Sequence, residues 1–66
     1  MTVNVNNQTK SIVDNSTLKA LLEQLNLSAD GIAIAINNEI IVKGKWGQTQ
    51  IHNNDHITII QATQGG

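Results

Sequence analysis

The chain has 66 residues, no cysteine, no proline, four lysines with no arginine, and a formal net charge of -1. A chain this short makes one domain and buries only about 60% of its unfolded surface, room for one thin core and none for a deep active site with its own supporting shell. Without thiols it has no disulfide and no thiolate metal site, and the charge balance lacks the basic stripe that nucleic acid requires. No apolar stretch approaches a membrane span, and residues 1–4 lack the charged start and apolar segment of a leader. A soluble, cytoplasmic protein without membrane or nucleic-acid partners is the expectation.

Val3 and Val5 alternate with Thr2, Asn4 and Asn6, the period of a half-buried strand. Asn6-Asn7 follows, and the same pair recurs at Asn37-Asn38 and Asn53-Asn54, each time between apolar runs. Asparagine tolerates the left-handed backbone of a tight turn, so three turns are expected. After the first, residues 8–13 form the returning strand of a hairpin, with Lys10 and Ser11 leaning outward and Ile12 anchoring inward.

Asp14-Asn15-Ser16-Thr17 is a cluster of helix-start residues, and either Ser16 or Thr17 can cap. The reciprocal Glu or Gln of a capping box is missing, because Lys19 and Ala20 fall at those offsets. Leu18, Leu21, Leu22 and Leu25 then make one apolar helical stripe, with Lys19, Glu23, Gln24 and Asn26 on the opposite side. Residues 26–31 end the helix, and Leu27 tucks back against the core.

Ile32-Ala33-Ile34-Ala35-Ile36 alternates large and small. The isoleucines belong on the face that meets the leucine stripe, and Ala33 and Ala35 on the open face of the sheet. Residues 39–42 make the next strand, residues 43–47 an irregular connection, and Ile51 a short further contact. The last strand, residues 56–61, sends Ile57 and Ile59 one way and Thr58 and Ile60 the other.

Two strands, a helix and two or three more strands give an α+β fold, a mixed four- to five-stranded sheet covered on one face by one helix. The strongly apolar first and last strands pair centrally, and in parallel because a helical crossover lies between them. This is the ubiquitin-like β-grasp arrangement, over residues 1–60. Residues 61–66 read as a flexible tail ending in Gly65-Gly66. With no Cβ on either glycine, that tail fits a slot too narrow for any side chain and offers an unhindered carboxylate to another enzyme.

At this point the residues carry a family resemblance. The N-terminal hairpin, Thr17-Leu18 with Leu21-Leu22-Glu23-Gln24-Leu25, Ala35-Ile36-Asn37, the Trp46 connection, the Asp55 turn and the Gly65-Gly66 end together resemble the ThiS family. These are the small sulfur carriers of thiamine biosynthesis, and the match covers essentially the whole chain. The stretch Ala62-Thr63-Gln64 is more polar than the approach to the glycines common in that family.

The resemblance implies a cosubstrate, with no catalytic residue and no bound cofactor of its own. A ubiquitin-activating-like adenylating enzyme (ThiF type) would use ATP to make an acyl-adenylate on Gly66. Sulfur from a cysteine desulfurase would convert that end to a thiocarboxylate, and thiazole synthase (ThiG type) would take the sulfur into the thiamine thiazole. Gly65, Gln64 and Thr63 would then be read by the partner's tail-binding slot, with Ile60, Ala33 and Ala35 as its docking anchors. Two other readings share the same tail: a molybdopterin-synthase small-subunit-like carrier, and a ubiquitin-like modifier joined to lysines through Gly66.

Other residues invite weaker readings. His52 and His56 have the spacing of a helical zinc pair, but the intervening Asn53-Asn54-Asp55 is turn chemistry that splays the rings, so no metal site is expected. Asp14, Asp30 and Asp55 fall at turns or caps, where carboxylates bond local backbone. Trp46, the sole aromatic residue, serves either as an interface anchor or as a lid on a core with no other large ring. Gly44 and Gly47 lack the spacing of a phosphate-binding loop.

Overall fold

The computed structural model describes residues 1–61. Five strands and one α-helix follow in the order β1 (Thr2–Val5), β2 (Gln8–Ser11), α1 (Leu18–Gln24), β3 (Ile32–Ile36), β4 (Glu39–Ile41) and β5 (His56–Gln61), with a short 3-10 turn at Lys43–Lys45. The sheet order is β2-β1-β5-β3-β4, and β1 runs parallel to β5 while the other pairs are antiparallel. The central parallel pair bridged by a helix is the β-grasp topology expected from the strand pattern. β5 runs through Gln61, the last described residue, over the span expected for the last strand.

Both hairpins turn on asparagine pairs. Asn6 and Asn7 have φ of 51° and 67°, and Asn37 and Asn38 have φ of 50° and 71°. Two successive left-handed residues are what a two-residue turn needs if its twist is to match that of the flanking strands. Asn54 is left-handed as well, in the turn that leads into β5.

The helix is short and its first turn is fully bonded. The Thr17 hydroxyl accepts from the Ala20 N–H at 3.2 Å, so Thr17 is the cap. Leu18 donates to the Thr49 carbonyl at 3.0 Å, Lys19 to that of Trp46 at 3.3 Å, and Leu21 to that of Thr17 at 2.9 Å. The loop after the 3-10 turn therefore satisfies donors that a helix start otherwise leaves to water. Ser16 has a different task. Its buried hydroxyl donates to the Val13 carbonyl at 2.6 Å and accepts from Gln24 Nε2 at 2.9 Å.

At the other end Asn26 takes φ 57°, Leu27 donates to the Leu22 carbonyl at 2.9 Å and Asn26 to that of Glu23 at 3.2 Å. This is a Schellman closure with asparagine in the position that glycine usually takes. It returns Leu27 to the core, against which it packs half-buried.

The core lies between α1 and one face of the sheet. Leu18, Leu21 and Leu22 meet Val3, Val5, Ile12, Ile34, Ile57 and Ile59, with Trp46 and Ile51 closing one side. Trp46 is only 4% exposed and donates its indole N–H to the Ile41 carbonyl at 2.9 Å. The lid reading is the one the structure bears out.

Three expectations need correction. The returning strand stops at Ser11: Ile12 still exchanges bonds with Met1, and beyond it the Val13 N–H is met by Gln24 Oε1 at 3.1 Å. Lys10 stands opposite Val3, which puts it half-buried on the helix side of the sheet with only Ser11 outward. β4 stops at Ile41, because the Val42 carbonyl accepts from Lys45 and opens the 3-10 turn.

Leu22, 3% exposed on the middle of the helix, tests the packing. Leu22→Ala is expected to cost about 2–5 kcal/mol, a large share of the stability of so small a domain. Urea unfolding reads this directly. A loss below about 0.5 kcal/mol, the size of a surface effect, would place Leu22 outside the core.

Candidate functional site

Strand alternation decides what the open face presents. Ile57 and Ile59 are buried on the helix side, so Thr58 and Ile60 face away from it. Ile60 is 61% exposed and stands directly opposite Ala33, with Thr58 opposite Ala35. The three residues read from sequence as docking anchors, Ile60, Ala33 and Ala35, therefore come together on one face. They sit on β5 and its neighbour β3, at the end of the strand from which the chain continues toward residue 66.

Two further residues enlarge this patch. Ile40 stands opposite Ala35 on β4 and is 75% exposed, and Val42, two residues on, is 63% exposed. Ile40-Ile41-Val42 is a continuous apolar run, so periodicity alone leaves its facing undecided. The Ala35–Ile40 pairing settles it, and that pairing follows from the two-residue turn at Asn37-Asn38. The alanines between Ile60 and Ile40 keep the middle of the patch low, which lets another surface approach the sheet closely.

The base of β5 is held by polar side chains. The Asn37 carboxamide accepts from the His56 N–H at 3.0 Å and donates to Asp55 Oδ1 at 3.2 Å, while Asp55 Oδ2 accepts from the His52 N–H at 2.8 Å. Asp55 thus bonds local backbone as expected. The carboxylates of Asp14 and Asp30 pair instead with cations, the Met1 ammonium at 2.6 Å and Lys43 Nζ at 3.7 Å. The exposed His52 ring has Nδ1 3.9 Å from Asp55 Oδ2. Among the described residues no three His, Asp or Glu side chains converge on a common point, and no helix is long and apolar enough to cross a membrane. Gly65, Gly66, Gln64 and Thr63, the residues expected to be read and modified, lie outside the described residues.

The chain matches the ThiS family over residues 3–66. It is 33% identical to the sulfur carrier protein ThiS of Escherichia coli (strain K12), over the whole length of both chains. Its fold is that of a thiamine biosynthesis protein (ThiS) from Geobacter metallireducens, whose crystal structure superposes with a TM-score of 0.87 at 19% identity and full coverage of both chains. A solution structure from the same organism gives a TM-score of 0.82 at 17% identity and is covered over 88% of its length. A family match from the first strand to the last glycine, whole-length identity to a curated relative and the same β-grasp architecture agree: this chain belongs to the ThiS family.

Proposed function

We propose that the protein works as a sulfur carrier of thiamine biosynthesis through the carboxylate of Gly66, and that the open face around Ile60 is where its enzymes dock. One observation carries this reading above the others. The family match runs through Gly66 itself, and the strand leading toward it places Ile60 on the side of the sheet away from the helix.

A carboxylate is a poor electrophile. Attack of its oxygen on the α-phosphate of ATP, with pyrophosphate leaving, gives an acyl-adenylate whose carbonyl carbon a persulfide sulfur can take with loss of AMP. Cleavage of the resulting disulfide by a thiol leaves a thiocarboxylate, a nucleophilic sulfur held on a protein. All of these steps are performed by partners: a ThiF-type adenylating enzyme, a cysteine desulfurase as sulfur source, and a ThiG-type thiazole synthase as acceptor. The chain contributes a surface and an end. Gly65, Gln64 and Thr63 would enter the slot of the adenylating enzyme in extended form, bonded through their main chain as in strand addition, where the absence of a Cβ at Gly65 allows close approach. Cytoplasmic location accords with partners that use ATP.

The direct test is the intact mass of the protein isolated from its native host. Replacement of one terminal oxygen by sulfur is expected, and a ladder of conjugates to other proteins would instead favour a modifier. Gly65→Val is expected to leave the thermal midpoint unchanged and to lower ATP–pyrophosphate exchange by at least about tenfold, or ~1.4 kcal/mol. Extension by one residue after Gly66 should do the same by moving the carboxylate out of line. Exchange at the wild-type rate in both variants would remove Gly66 from the mechanism. Ile60→Asp should fold normally and weaken binding to the adenylating enzyme by about 1–2 kcal/mol or more. Titration calorimetry checks it, and an unchanged affinity would show that docking occurs elsewhere.

A further inference from the structure

β5 outruns its parallel neighbour. β1 pairs with it only at Asn4–His56 and Val5–Ile57 before the chain turns away at Asn6. Asn6 makes the last main-chain bond of this ladder, its N–H donating to the Ile57 carbonyl at 2.9 Å. Its side chain then supplies one more rung. Asn6 Oδ1 accepts from the Ile59 N–H at 2.8 Å, and Asn6 Nδ2 donates to the Ile59 carbonyl at 3.1 Å. In a parallel ladder these two groups would meet a carbonyl and an N–H of the next strand residues. The Asn6 carboxamide stands in for both, and among the described residues it is the last group on that side of the sheet to hold β5.

A turn requires none of this. Asn7 occupies the second left-handed position of the same turn, with φ 67°, and glycine would suit either position. Asn6 differs in reaching across 53 positions of sequence to another strand.

The geometry points to Asn6 as a positioning residue for modification of the tail: its carboxamide fixes Ile59, and through it the direction in which Ile60 and Gln61 lead toward Gly66. This rests on the reading that Gly66 is the adenylated end. A β5 end held in the ladder presents the docking residue Ile60 and the root of the tail as one rigid unit, so the adenylating enzyme has less chain to order on binding. Once the carboxylate is seated, Asn6 has no part in the chemistry. Its loss should therefore raise KM and leave kcat unchanged.

The experiment compares Asn6→Gly, Asn6→Asp and Asn7→Gly with wild type, by native-state amide hydrogen exchange of the free proteins and by ATP–pyrophosphate exchange with the adenylating enzyme. Asn6→Gly keeps the left-handed turn and removes the clamp. The Ile59 amide is expected to exchange at least about tenfold faster relative to the core amides of Leu21 and Ile34, with KM rising about tenfold, the cost of re-ordering about one backbone residue. Asn6→Asp tolerates the same backbone and keeps the acceptor for the Ile59 N–H while losing the donor. It should retain protection at Ile59, give an intermediate KM, and decide the question if the glycine variant fails to fold. Asn7→Gly should match wild type in both measurements. Equal behaviour of Asn6→Gly and Asn7→Gly, or a wild-type KM in both Asn6 variants, overturns the positioning role. A wild-type chain that supports no exchange overturns the functional reading and this role with it, while protection at Ile59 still reports the clamp separately.

Discussion

A strand in the middle of a sheet must have its N–H and C=O groups met on both sides, since an unmet group there costs about as much as a lost hydrogen bond. β5 satisfies this on one side through its pairing with β3, in register from Ile36–Ile57 to Ile32–Gln61. On the other side β1 is only four residues long and turns away after two register pairs. A polar side chain therefore extends each ladder of β5. Asn6 completes the short parallel pairing with β1 at Ile59. Asn37 bonds the His56 N–H and extends the pairing with β3 where the strand begins. With β5 fixed between these points, Ile57 and Ile59 press on Leu18, Leu21 and Leu22, and the core between helix and sheet is closed.

The same register produces the candidate docking face without further design. A strand turns alternate side chains to opposite faces, so burying Ile57 and Ile59 under the helix commits Ile60 to the side that no layer covers. A seven-residue helix covers one face of the sheet and no more, and 61 described residues supply no second layer. What distinguishes this open face is its relief. Ala33 and Ala35 lie between the exposed side chains of Ile60 and Ile40, which makes an apolar surface that a partner can approach closely. Isolated exposed isoleucines are ordinary. Two of them flanking a strip of alanine, at the root of a segment that the family match carries to Gly66, are a more specific arrangement.

Much of this was legible before any coordinates, and the reasons are physical. The leucine stripe and the Ile-Ala alternation have the two periods that helices and strands impose, so the helix, β3 and the facing of Ile60 and Ala33 followed from spacing alone. The three asparagine pairs marked the turns, because few other residues accept a left-handed backbone. Where local pattern gave out, a distant partner decided. Val13 bonds Gln24 where the hairpin ends, Lys10 was placed by its pairing with Val3, and Ile40 was turned outward by its register with Ala35. Ser16 and Thr17 were indistinguishable as caps until the Val13 carbonyl and the Gln24 amide claimed Ser16. Such contacts join residues that no periodicity relates. The proposed role of Gly66 rests on the family likeness and on the glycine pair at 65–66, both readable in the sequence.

The asparagines show how a chain without cysteine or proline keeps so small a sheet in register. Every described non-glycine residue with positive φ is an asparagine, seven in all. Glycine would reach the same backbone angles, but it costs more conformational entropy on folding and leaves no side chain to bond. In each of the three pairs the first asparagine uses its carboxamide oxygen on a main-chain N–H of another strand or its entry: Asn6 on Ile59, Asn37 on His56, Asn53 on Thr2. One residue type thus turns the chain and ties the turn to a neighbouring strand, at strand ends where apolar burial is least able to help. On β5 these ties fall at His56 and Ile59, and the pairing with β3 holds the strand on through Ile60 and Gln61. There the backbone of Ile60 stays in the sheet while its side chain stands exposed on the face away from the helix.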